Sequence, residues 1–374
     1  MAGIYVHIPF CKKICHYCDF YKSGNLKLEN NFINAIIEEI DFRKDSLNKK
    51  IETIYFGGGT PSTLIFKNLR IIIDKIYKNF EIIDNPEISI ELNPDDININ
   101  YLENLKQVGF NRLSIGIQSF NNSILKFLNR RHNSQIAENS IKLAIESGFS
   151  NISIDLIYGI PNQTNQDILN DISVINKYAI THVSAYHLTI EDKTFFGKLY
   201  NQNKLKLIDE NLSLDYYQTV VNELDSIGFK QYEVSSYARN NMLSKHNTNY
   251  WKNVEYLGLG PSAHSYFSKS RFWNVSSLSK YLKLIKSKSF FEKETLNNDD
   301  LYNEYILVSL RTVWGIDLDY ILSTFGTEYY KYTIRIYDKN KNSIYLRKLD
   351  NHIHLNSIGL FVSDLLIQDF FITN

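Results

Sequence analysis

Six times in the first half of the chain, a short run rich in β-branched and aliphatic residues is followed by a stretch with helical periodicity. This beat is the feature that most limits the fold. The runs are IYVHI (4–8), TIYF (53–56), ISIEL (88–92), LSIGI (113–117), ISIDL (152–156) and HVSAY (182–186). Helical patterns follow near 30–47, 63–79, 98–108, in segments up to about 147, and near 165–178. Near-continuous apolar strands suit a parallel sheet covered on both faces. Strand–helix alternation gives βαβ units with right-handed crossovers. The expected fold class is therefore α/β, a partial (β/α)6 barrel.

Such barrels build their sites where strands end at the C-terminal face. Here the polar and glycine residues gather at those ends. A cysteine loop follows the first strand, and Gly57, Gly58, Gly59 and Thr60 follow the second. Glu91 ends the third, Gln118 follows the fourth, and Asp155 lies late in the fifth. Each has an ordinary reading as a surface carboxylate, a helix cap or a structural anchor. Their shared placement points to one site.

The chain has only three cysteines, and all lie within CKKICHYC: Cys11, Cys15 and Cys18. An odd, clustered set excludes a disulfide framework and suits a reducing, cytoplasmic setting. A closed zinc site needs four ligands, with His16 or Asp19 as a fourth, but no second ligand pair exists. A 4Fe–4S cluster fits better, because three thiolates leave one iron open to a small molecule.

The Cys-x3-Cys-x2-Cys spacing, with Tyr17 before the last cysteine and GGGTP downstream, resembles the radical S-adenosylmethionine (SAM) superfamily. That resemblance implies that the amino and carboxylate groups of SAM chelate the open iron. IYVHIPFC, IYFGGGTPS, ISIELNP, NRLSIGIQSF, NRRH, ISIDLIYGIP and YEVSSYA are further similar to the oxygen-independent coproporphyrinogen III oxidase group. Carried over position by position, Tyr5, Tyr17, Gly58, Gly59, Thr60, Glu91, Gln118, Arg130, Asp155 and Thr189 would line the SAM pocket.

One departure separates this chain from the oxidases of that group. They carry a further cysteine two residues after the third, where this chain has Phe20. CDF is instead the pattern of a heme-chaperone branch, as is His-Asn-x-x-Tyr-Trp, present as His246, Asn247, Thr248, Asn249, Tyr250 and Trp251. The resemblance implies heme contact through His246, Tyr250 and Trp251, with His264 in GLGPSAHSY as a second candidate ligand. It implies a protein that holds heme, a cluster and SAM and passes heme to an acceptor protein. An electron donor would be needed if SAM is cleaved. The alternatives are coproporphyrinogen III oxidation by radical decarboxylation, or another radical SAM reaction.

From about 297 the pattern changes. LYNEYILVSLRTVWGI, DLDYILSTFG and a stretch near 328–338 read as helices. IYLRKLDNHIHLN reads as a two-strand wing turning at Asp350-Asn351, and SIGLFVSDLLIQDFF as a closing amphipathic helix. This is a small winged-helix-like α+β domain. The expected division is a barrel over 1–235, a connecting or cap region over 236–296 and this domain over 297–374. With 41 basic and 41 acidic residues, a nucleic-acid partner is not expected. Nor does any apolar run approach the roughly 18 residues of a membrane span.

Overall fold

The structure is a computed structural model and describes residues 1–373. Strands β1 (Ala2–Ile8), β2 (Ile51–Gly58), β3 (Ile82–Leu92), β4 (Arg112–Gln118), β5 (Asn151–Tyr158) and β6 (His182–His187) are parallel and neighbours in that order. Helices Glu29–Arg43, Phe66–Asn79, Ile99–Val108, Ser134–Glu146 and Asn165–Asn176 connect them. The partial barrel expected from the sequence is present. Two helices not expected from periodicity, Phe195–Asn201 and Glu210–Ser226, follow β6.

Strand side chains alternate between faces, and the alternation divides the barrel chemically. On β4, Leu113, Ile115 and Ile117 are fully buried in the hydrophobic core. Their partners on the other face are Arg112, Ser114, Gly116 and Gln118. On β2, Ile54 and Phe56 lie in that core, while Thr53, Tyr55 and Gly57 face the lumen. The outer face thus buries aliphatic surface at about 25 cal/mol per Å², and the lumen is left for chemistry.

Residues 236–296, expected as a connecting region, extend the same sheet at both edges. Strand β8 (Ser236–Ala238) adds antiparallel to β6, and β7 (Lys230–Gln231), just before this region, pairs antiparallel with β8. Strand β9 (Tyr256–Leu259) pairs parallel with β1, and β10 (His264–Phe267), β11 (Ser270–Asn274) and β12 (Phe291–Thr295) continue antiparallel. The HNTNYW motif, within the expected connecting or cap region, is helix Lys245–Trp251, capped by the Ser244 side chain.

The C-terminal unit has its own core, built on Tyr302, Ile306, Ile316, Ile321, Ile353 and Phe370. Strands β13 (Ile316–Asp317), β14 (Leu346–Leu349) and β15 (His352–Leu355) form its small sheet. The turn between the wing strands uses Asp350 at φ 50°. The closing helix is broken in two, Ser357–Phe361 and Ser363–Phe370. No helix among the described residues is long and apolar enough to cross a membrane.

Candidate cluster, SAM and cavity site

The cysteine loop has little regular structure, so neighbouring elements hold it. The Cys11 amide donates to Ser23 O at 3.0 Å, the His16 amide to Leu128 O at 3.2 Å, and the Phe196 amide to His16 O at 3.0 Å. Asn129 Nδ2 donates to Ile14 O at 2.8 Å. All three cysteines are free. The His16 ring is committed elsewhere, with Nδ1 3.0 Å from Phe127 O and its centroid 4.2 Å from that of Phe195. It is therefore a poor fourth ligand. Among the described residues no three or more His, Cys, Asp or Glu converge as for a single metal ion. A cubane takes its thiolates on different irons, so three sulfurs on one pinned loop fit a cluster. Burial pushes the Cys11 thiol up to about 11. A bound metal reverses that, because a coordinated thiol is deprotonated.

Most of the other predicted residues gather around this loop in two groups. Arg130 donates from Nη1 to Cys15 Sγ at 3.2 Å, and from Nη2 to Asn93 Oδ1 at 2.5 Å and Gly116 O at 2.6 Å. The Tyr17 hydroxyl lies 3.5 Å from the same guanidinium. Thr60 Oγ1 is 3.3 Å from Cys11 Sγ. In the lumen, Glu91 accepts from the Gly58 amide at 3.2 Å and the Tyr55 hydroxyl at 2.9 Å. Burial, reinforced by Asp155, raises Glu91 to about 7. Asp155 accepts from Ser114 Oγ at 3.1 Å, and burial raises it to about 6. Carboxylates this reluctant to ionise in isolation suit hydroxyl and ammonium partners. Gly58 sits at φ 106°, and a Cβ there would lie 2.6 Å from the His7 ring, so only glycine fits. Gln118 occupies φ 70° at an irregularity in the β4–β5 register, a strained conformation of the kind that collects at functional sites. Gly59 completes the turn, its amide donating to Ile8 O at 2.8 Å. Thr189 lies exposed in the segment after β6.

Beside the cysteine loop lies a cavity of about 510 Å³. Its walls include Tyr5, Phe20, Tyr21, Tyr250, Tyr256 and Tyr266. Phe20, in place of the oxidase cysteine, is 68% exposed at its edge. Three histidines lie in or behind this wall, and they differ. His7 Nδ1 is 3.2 Å from the Tyr5 hydroxyl and Nε2 is 2.9 Å from Tyr21 O. His246 is only 1% exposed. Its Nδ1 is 2.8 Å from Thr53 Oγ1 and its Nε2 is 2.8 Å from the Tyr250 hydroxyl. Burial lowers His246 to about 3, so the ring is neutral, with one nitrogen donating and one accepting. Gly3 makes room for it, since a Cβ there would lie 3.2 Å from the ring. His264 lines the cavity, is exposed, and has no hydrogen bond to its ring among the described residues. Trp251 is half-buried and not among the lining residues.

Residues 5–175 match the radical SAM superfamily. The heme chaperone HemW of Bacillus subtilis (strain 168) is 34% identical over 331 residues, covering 87% of each chain. The chain belongs to the HemW family. A second HemW, from Lactococcus lactis subsp. lactis (strain IL1403), is 31% identical over 372 residues, or 98% of this chain and 96% of its own. Coproporphyrinogen III oxidase (HemN) from Escherichia coli, a radical SAM enzyme, has a TM-score of 0.85 at 23% identity, over 99% of this chain and 89% of that one. HemN therefore corroborates the fold, barrel and small C-terminal domain together. Membership of the radical SAM superfamily implies a 4Fe–4S cluster and SAM. Sequence reasoning missed Asn93, which steadies Arg130, and Tyr55, which steadies Glu91. Alternation along β2 was the available signal for Tyr55. It also passed over Tyr21, Tyr256, Tyr266 and Arg271, because the elements carrying them gave no periodic signal.

Proposed function

We propose that this protein is a heme chaperone. It holds heme in the aromatic cavity, with His264 as iron ligand, and hands it to an acceptor protein. One observation carries this reading. Of the three histidines at the cavity, His264 alone has a ring free of hydrogen bonds among the described residues. Imidazole is a common axial ligand of heme iron. A volume of about 510 Å³ lies within the roughly 300–1,000 Å³ usual for ligand cavities. The tyrosines and Phe20 supply flat apolar surface, and burial of the macrocycle against them supplies most of the affinity. A single protein ligand also suits a carrier that must release its cargo. His246 then acts behind the wall, fixing Tyr250 from Nε2.

Cys11, Cys15 and Cys18 would hold the 4Fe–4S cluster, which when reduced supplies one electron to SAM on its open iron. The chain's own residues shape that neighbourhood. Tyr5 and Tyr17 would flank SAM, and Gly58, Gly59 and Thr60 would offer backbone and hydroxyl groups to its amino end. Arg130 would offset its carboxylate. Glu91, Gln118, Asp155 and Thr189 would take its remaining polar groups. The reading requires an acceptor protein, and an electron donor where SAM is cleaved.

The test is an absorbance titration of heme into wild type and His264→Ala. Loss of the wild-type Soret position and weaker binding in His264→Ala are expected. Identical spectra and affinities would remove His264 as ligand.

A further inference from the structure

We infer that Arg271 selects a tetrapyrrole bearing rim carboxylates, by taking one of them while the iron faces His264. This rests on the heme reading above. β10 and β11 form an antiparallel hairpin in which Tyr266 lies opposite Arg271 and His264 opposite Trp273. His264 and Tyr266 are two residues apart and share a face. Arg271, directly across from Tyr266, shares it too. It is therefore one diagonal step from His264, about 7–8 Å between positions of this kind. All three line the cavity.

That spacing matches heme, whose metal is central and whose carboxylates hang from the rim. Of the lining side chains among the described residues only Arg271 and Asp19 carry a formal charge, so Arg271 is the one permanent cation among them. The guanidinium carbon lies 5.5 Å from the Tyr266 ring centroid. Its Nε donates to Glu304, and the Tyr256 hydroxyl stands beside the guanidinium as a second partner. These contacts fix the arginine without using its whole fork. The remaining N–H groups can pair with a second carboxylate, and a planar fork does so bidentately.

The experiment compares ferric heme with its dimethyl ester, which keeps iron and ring but has no free carboxylate. Both are titrated into wild type, Arg271→Gln and Arg271→Lys. Wild type should prefer the diacid about ten- to hundredfold, the scale of a charged hydrogen bond. Arg271→Gln should lose that preference while keeping the diester affinity, and Arg271→Lys should restore part of it. Equal affinities for the two ligands in wild type would overturn the inference, even if Arg271→Gln failed to fold. So would a preference that survives in Arg271→Gln, because a merely structural arginine weakens both ligands alike. Failure of folded wild type to bind either ligand would overturn the heme reading itself.

Discussion

Replacing His246 by alanine separates a buried strut from an iron ligand. The ring is 1% exposed and both nitrogens are bonded, to Thr53 and to Tyr250. Its centroid is 5.1 Å from that of Tyr55 and 6.4 Å from that of Tyr5. Truncation strands two hydroxyls, each costing about 1–3 kcal/mol if left unpaired. It also opens a cavity, and large-to-small core changes cost about 2–5 kcal/mol. Tyr250 lines the open cavity and can turn to water, so the terms do not add in full. About 3–5 kcal/mol is expected, a large part of a typical stability of about 5–15 kcal/mol. Urea unfolding followed by far-UV circular dichroism measures the loss. Heme titration under folding conditions then measures the ligand. His246→Ala should be much less stable yet keep the wild-type Soret position, because His264 remains. A variant as stable as wild type that has lost that Soret position would refute the reasoning and make His246 the ligand.

Gly58→Ala forces a Cβ into φ 106° and against the His7 ring. The backbone alone costs about 1–2 kcal/mol, so lowered thermal stability and weaker SAM binding by equilibrium dialysis are expected; wild-type values for both would contradict the close approach. Acid titration of the apo protein tests the buried groups. Burial lowers His7 to about 4 and His132 and His246 to about 3. Their stabilising effect is complete above the unfolded value of about 6.5 and is lost as pH falls towards the folded values. Burial raises Glu91 to about 7, Asp155 to about 6 and Asp171 to about 7. These carboxyls take up protons earlier in the folded state, so stability gains from them as pH falls towards about 4. The two sets oppose each other, giving a shallow profile between about pH 7 and 5 and a steep fall below about 4.5. A steady decline in denaturation midpoint from about pH 6.5 downward would show that the carboxyls do not offset the histidines.

The barrel was legible because its six strands are long and carry continuous apolar runs. The cysteine spacing and GGGTP fixed where cofactor residues would stand, since both follow strands at one end of the barrel. Residues 236–296 were opaque for a physical reason. SYA, HSYF and FEKET have no periodicity of their own, and become strands only by pairing with β6, β9 and β11. KHNTNYW lacks an apolar stripe, so its helix was missed even though Ser244 is a good cap. The burial of His246 depends on Thr53, 193 residues away, and on the space left by Gly3. No local pattern reports such a contact.

The pairing of β1 with both β2 and β9 has a consequence for how the chain is made. Gly3 lies beside Thr53 on one side and Tyr256 on the other. Strand β1 leaves the ribosome long before β9 and therefore keeps one bare edge until more than two hundred further residues have been synthesised. Contacts of such long sequence separation close slowly, and unpaired edges are where nascent chains stick to one another. Strand β1 is thus enclosed only late, and translation that stalls before β9 leaves its edge open.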